Sequence, residues 1–180
     1  MSAPPRPAVR TVLPDAGATA ALAERLAPHL GAGDTLLLQG ELGAGKTHFA
    51  RALIRARQRT AGIAPEEVPS PSFTLVQTYD AGGLEIWHAD LYRLHAPDEL
   101  IELGLDAAFD QALCLIEWPD RLGRPTPPEA LHLTLTVAPG ADPTTEPPRT
   151  ATLHGGGPRH APVFAAFIDA AAPPDGACPA

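Results

Sequence analysis

With 180 residues and 44% apolar side chains, the chain is long enough for one domain with its own core. Its 13 basic residues against 21 acidic ones give a formal charge of −8, which argues against a protein that grips a nucleic-acid backbone unaided. No apolar run nears the roughly 20 residues of a membrane span, and Pro-rich Met1–Arg10 lacks the apolar segment of a secretory signal, so a cytoplasmic protein is expected.

Residues 1–10 read as disordered and Thr11–Leu13 as a short edge strand. Asp15 is a candidate N-cap, and Leu22, Leu26 and Leu30 recur at four-residue spacing on one helical face. Pro28 should end that helix near Ala27, and Gly31 and Gly33 turn the chain into the apolar strand Thr35–Leu38.

Gly40-Glu41-Leu42-Gly43-Ala44-Gly45-Lys46-Thr47 follows, matching G-x-x-x-x-G-K-[ST] at every fixed position. Glycines let successive backbone N–H groups turn inward towards phosphate oxygens. Lys46 is placed to reach the β- and γ-phosphates as an exposed ammonium, and the Thr47 hydroxyl to ligate Mg²⁺. Lys46 is the only lysine; the other 12 basic residues are arginine. A compact ammonium fits a narrow anion nest where a planar guanidinium does not. This octapeptide is read as a nucleotide-binding loop at a helix N-terminus.

The next helix should run to about Arg59, with Phe49, Leu53 and Ala56 facing the core. His48, Arg51, Arg55 and Arg59 share its opposite face, either as a solvated stripe or as a dock for an acidic partner or RNA phosphate. Residues 60–69 read as a loop, and Ser70-Pro71-Ser72-Phe73-Thr74 gathers three hydroxyls around a proline. Thr74–Tyr79 and Leu84–His88 read as strands joined by the hairpin Asp80-Ala81-Gly82-Gly83.

Asp90 stands just past the second of these strands, and Glu117 ends the apolar run Leu113–Ile116. Mg²⁺ usually takes one or two carboxylates beside phosphates and waters, so both acids are candidate ligands. Glu117 is also a candidate catalytic residue. His88, Asp90 and His95 lack the spacing of a zinc site, and His88 is read instead as a polar support. Trp118 is either a core aromatic or a wall of the pocket.

Pro97–Leu100 should open a short helix stopped by Gly104. Residues 119–130 and 138–148 read as Pro-rich loops around the strand Leu131–Val137, followed by the strand Arg149–Leu153. A terminal helix is expected over Pro162–Ala172, with a frayed end. Cys114 reads as a buried small hydrophobe, and a disulfide with Cys178 is not expected.

Asp80–Gly83 also fits the D-x-x-G pattern of GTPases. Guanine selection there needs Asn-Lys-x-Asp, and this chain has no asparagine and no second lysine. A small-molecule kinase is the remaining alternative, with Arg93, Arg121 and Arg124 as possible phosphate contacts.

The phosphate loop occurs in order with Ser70-Pro71-Ser72-Phe73-Thr74-Leu75-Val76, His88-Ala89-Asp90-Leu91-Tyr92-Arg93-Leu94, Glu102-Leu103-Gly104-Leu105 and Leu115-Ile116-Glu117-Trp118-Pro119. In that combination the chain resembles the TsaE ATPase family, bacterial proteins required to make threonylcarbamoyladenosine in tRNA. The likeness covers about residues 11–153. It implies an α/β fold of the P-loop NTPase type, with a mixed sheet flanked by helices over 11–155 and a C-terminal helix and tail over 156–180. It further implies ATP and Mg²⁺ as cofactors, weak intrinsic ATPase activity, and work beside the transferase pair TsaB–TsaD, with tRNA reached through that complex. By resemblance, the Ser70–Thr74 segment is a switch near the γ-phosphate, Asp90 and Glu117 serve the metal and the attacking water, and Trp118 lies near the site. Ser72 stands where the family usually has threonine; the hydroxyl remains, but the missing methyl leaves its rotamer less fixed.

Overall fold

The computed structural model describes residues 7–94, 104–123, 126–139 and 146–170. Among them, four α-helices flank a mixed seven-stranded sheet, the α/β arrangement expected from the sequence. The strands are β1 (Val9–Leu13), β2 (Thr35–Gln39), β3 (Val76–Asp80), β4 (Glu85–Asp90), β5 (Leu113–Glu117), β6 (Leu131–Val137) and β7 (Arg149–Gly155). The helices are α1 (Ala16–Leu26), α2 (Lys46–Thr60), α3 (Leu105–Gln111) and α4 (Ala161–Asp169).

Strand order is β1-β7-β6-β2-β5-β4-β3. β2 runs parallel to β5 and β6, β4 runs parallel to β5, and the remaining pairs are antiparallel. Central β2 is covered on both faces, which is why Leu36, Leu37 and Leu38 form a continuous apolar run rather than an alternating one. Leu36 and Leu38 join Leu22, Leu26, Phe49, Leu53 and Phe167 in one core cluster beneath α1, α2 and α4. Leu37 points the other way, towards Cys114, Ile116, Leu105 and Ala108. Burial pushes the Cys114 thiol up to about 12, so it packs as a hydrophobe and is not a nucleophile at neutral pH.

Local sequence signals account for most of the boundaries. The Asp15 carboxylate accepts the Ala18 N–H at 2.7 Å and caps α1. Pro28 lies in a 3-10 turn, Ala27–His29, that ends the α1 segment. The Asp80 carboxylate accepts the N–H groups of Gly82 and Gly83 in the β3–β4 hairpin.

Several expectations need correction. β1 begins at Val9, inside the segment expected to be disordered, because Val9 and Arg10 pair with Leu153 and Thr152 of β7. β3 begins at Val76 rather than Thr74, since Leu75 (φ 61°) turns the chain first. Asp90 is the last residue of β4 rather than just past it. The helix expected from Pro97 lies outside the described residues; Gly104 (φ 72°), expected as its stop, is the cap from which α3 starts. α3 was not foreseen. β7 extends two residues further, to Gly155. Cys178, His95 and Arg124 also lie outside the described residues.

The basic stripe faces solvent only in part, and each of its members has a partner within the fold. Arg51 Nε donates to the Val68 carbonyl at 2.6 Å and Arg55 Nε to the Glu66 carbonyl at 3.3 Å. Arg59 pairs with Glu24 of α1 at 2.6 Å, and His48 Nε2 meets the Ala16 carbonyl at 2.9 Å. Together with buried Gln58, which bonds Glu66, these side chains fasten the 61–69 loop and α1 to α2.

Candidate functional site

Register creates the site. Glu117 pairs with Leu38 of β2 on one side and with Asp90 of β4 on the other. Three parallel strands therefore end in one line, and both acids stand beside the loop that leaves β2. Such strand C-termini are the usual ligand edge of an α/β sheet.

The loop needs its glycines. Gly40 has φ 141°, and a Cβ there would collide with the Leu135 carbonyl oxygen. Gly45 (φ 102°) is the left-handed residue that starts α2. Side chains rarely adopt either conformation.

Lys46, expected as an exposed ammonium, is only 5% exposed. Its Nζ donates to the carbonyls of Gly40 (2.7 Å) and Glu41 (2.8 Å) and lies 3.8 Å from the centroid of the Trp118 ring. Burial lowers its pKa from the ordinary value, against the opposing pull of Glu117 and Asp90.

Glu117 is 1% exposed and has both oxygens engaged. Oε2 accepts the Thr47 hydroxyl at 2.9 Å and Oε1 meets His88 Nε2 at 2.8 Å. A carboxylate only accepts, so Nε2 carries the proton of this hydrogen bond. His88 is fully buried, and its Nδ1 has no partner among the described residues. It contacts the site only through this bond to Glu117 among the hydrogen bonds described.

Asp90 is 4% exposed. Its Oδ2 accepts the Ser72 hydroxyl at 2.7 Å, and its Oδ1 accepts the Tyr92 N–H at 3.1 Å. Ser70 Oγ lies 2.7 Å from Ser72 Oγ, so the segment expected as a switch is tied to one candidate metal ligand.

Trp118 takes a left-handed backbone (φ 58°) just after β5, with its N–H donated to the Leu38 carbonyl at 3.3 Å. Such a conformation costs a non-glycine residue about 1–2 kcal/mol. Its ring lies 4.9 Å from that of Tyr92 and walls the pocket, while also packing against the second core cluster.

The resulting cleft has a volume of about 250 Å³. Leu42, Gly43, Gly45, Lys46, Thr47, Ser72, Asp90, Glu117 and Trp118 line it, together with His48 and Ser70, which had not been singled out as ligands. Gly40, Glu41 and Ala44 do not line it; the first two supply the carbonyls that hold Lys46. A larger cavity of about 590 Å³ opens at the other end of β2, beside Thr35, Phe109 and Pro127, and shares no residue with the loop.

The cleft combines backbone N–H groups at a helix start, an ammonium, three hydroxyls and two carboxylates. Hard oxygen donors beside an anion nest suit Mg²⁺ held together with phosphate. Among the described residues, no three His, Cys, Asp or Glu side chains form a group able to hold a metal.

Comparison with known proteins gives the family and the fold. Residues 13–142 match the family model described as "Threonylcarbamoyl adenosine biosynthesis protein TsaE". The chain is 41% identical over 119 residues to the tRNA threonylcarbamoyladenosine biosynthesis protein TsaE of Rickettsia conorii, a match that spans 65% of each chain. That is just under two thirds of the relative's length. The Bacillus subtilis protein of the same name is 39% identical over 130 residues, covering 72% of this chain and 77% of the relative. The crystal structure of Bacillus subtilis YdiB superimposes with a TM-score of 0.70 at 28% identity, covering 93% of this chain and 98% of that one.

Proposed function

The chain belongs to the TsaE family of threonylcarbamoyl adenosine biosynthesis proteins, and we propose that it is a Mg²⁺-dependent ATPase serving tRNA threonylcarbamoyladenosine formation beside a TsaB–TsaD type pair. The observation that carries this reading is the alignment of Asp90 and Glu117 across paired strands, with Thr47 of the phosphate loop bonded to Glu117.

In this reading the loop from Gly40 to Thr47 binds the phosphates of ATP through its backbone N–H groups. Lys46 gives up its carbonyl partners to bind β- and γ-phosphate oxygens. Thr47, Asp90 and the adjacent Glu117 would hold Mg²⁺. A Mg²⁺ ion held there would neutralise charge on the phosphate oxygens. Glu117 orients the attacking water and takes its proton, while His88 and Thr47 hold the two carboxylate oxygens in place. Ser72 reports on the site through Asp90, and Trp118 closes one wall. Hydrolysis by the chain alone is slow and becomes productive with its partners.

The acidic chain is expected not to bind tRNA tightly by itself. The arginines that could have formed a basic patch on α2 are paired within the fold, and non-specific affinity depends on free phosphate contacts. The check is a gel-shift titration of tRNA at physiological salt, paired with ATPase assays with and without a TsaB–TsaD pair. The expected outcome is no shift by the chain alone and faster hydrolysis with the pair. Tight binding of tRNA by the chain alone would refute the partner-borne route. Transfer of phosphate to a free small-molecule acceptor, with no response to the pair, would make the protein a kinase instead.

A further inference from the structure

Arg149 opens β7, beyond the residues 13–142 that the family model matches. Its side chain is 10% exposed, is not among the cleft-lining residues, and reaches the phosphate loop at Ala44. Arg149 Nε donates to the Ala44 carbonyl at 3.1 Å. Nη1 donates to Glu146 Oε1 at 3.0 Å and to the Pro147 carbonyl at 3.4 Å, which fixes the guanidinium plane. Gly45 sits directly against the guanidinium, and a Cβ on it would lie 3.5 Å from Arg149 Nε.

The consequence follows from peptide geometry. In a planar trans peptide the C=O and N–H point in opposite directions. The Ala44 carbonyl and the Gly45 N–H belong to one peptide unit. Ala44 is fully buried and does not line the cleft, whereas Gly45 does. Pulling the Ala44 carbonyl outwards therefore aims the Gly45 N–H inwards. Gly45, with φ 102°, lacks a side chain to lock this orientation by sterics. The peptide could otherwise flip, and the flipped unit would present a carbonyl oxygen to an anion.

We infer that Arg149 is a positioning residue for phosphate binding, which holds the Ala44–Gly45 peptide in its anion-accepting orientation from outside the site. A planar guanidinium suits the task because one edge bonds the carbonyl while the other is anchored to Glu146. The inference rests on the nucleotide reading above.

The test is calorimetric titration of the full chain with Mg²⁺–ADP and with a non-hydrolysable Mg²⁺–ATP analogue, with thermal melting on the same preparations. Arg149→Met keeps the apolar stem and should weaken both nucleotides by about the same factor, on the order of tenfold for a lost charge-assisted hydrogen bond. Arg149→Lys retains one donor for the carbonyl and should recover part of the loss. Glu146→Gln, at a half-exposed residue outside the phosphate loop, should give a smaller loss in the same direction without unfolding. Hydrolysis at saturating ATP should fall much less than affinity in all three. Lowered melting temperatures with unchanged affinity across the three variants would overturn the inference and leave Arg149 a packing residue. Failure of the unmodified chain to bind either nucleotide would instead refute the ATPase reading.

Discussion

Lys46→Ala is expected to reduce ATP hydrolysis by about 10²–10³-fold, the usual cost of losing a donor aimed at developing charge. The fold should survive with a modest loss of stability. In the structure the Lys46 ammonium serves the carbonyls of Gly40 and Glu41 and rests on Trp118. Removing it leaves two carbonyls short of a donor and costs about 1–2 kcal/mol. Lys46→Arg should also fail, although the charge is kept. The Nζ sits where two carbonyls and an aromatic face converge, and a forked guanidinium is too broad for that space. ATPase rate and circular dichroism on one preparation provide the check. Native-level turnover by a folded Lys46→Ala protein would remove Lys46 from the chemistry.

The two acids should fail in different ways. Asp90→Asn is expected chiefly to weaken Mg²⁺-dependent ATP binding. It also loosens the 70–74 segment, because Ser72 donates to this carboxylate. Glu117→Gln should leave ATP binding nearly intact and slow hydrolysis by about 10²–10⁴-fold, the range for a general base. A glutamine at 117 retains one acceptor oxygen, enough for Thr47 or His88 but not for both. Calorimetry with a non-hydrolysable ATP analogue, with and without Mg²⁺, separates the two losses. Equal loss of binding in both variants would make both acids metal ligands and leave Glu117 without its role as base.

Much of this architecture was legible in the sequence because its signals are local. The phosphate loop is a contiguous octapeptide, β2 and β5 are uninterrupted apolar runs, and Asp15 caps α1 within three residues of its partner. Both acids could be read as strand-end carboxylates, but their adjacency depends on the β4–β5 register, which no local pattern states. α3 was missed because Leu105–Gln111 is barely two turns long and follows Gly104. A left-handed glycine reads equally as a helix stop or a helix start.

The basic stripe illustrates a different limit. The 3- and 4-residue spacing of His48, Arg51, Arg55 and Arg59 was plain, but three of their four acceptors are backbone carbonyls, two in the 61–69 loop and one at the start of α1. Carbonyls carry no sequence signature, so a stripe that fastens the fold looks like one that faces solvent. Arg149 is hidden for the same reason: its acceptor is the carbonyl of Ala44, 105 positions earlier in the chain.

The most direct measurement is calorimetric titration of the unmodified chain with a non-hydrolysable ATP analogue in the presence and absence of Mg²⁺. The cleft of Lys46, Thr47, Asp90 and Glu117 predicts saturable one-to-one binding that is much tighter with Mg²⁺ and is lost in Lys46→Ala. Absence of binding, or binding indifferent to both Mg²⁺ and Lys46, would contradict the assignment of this cleft as an ATP site.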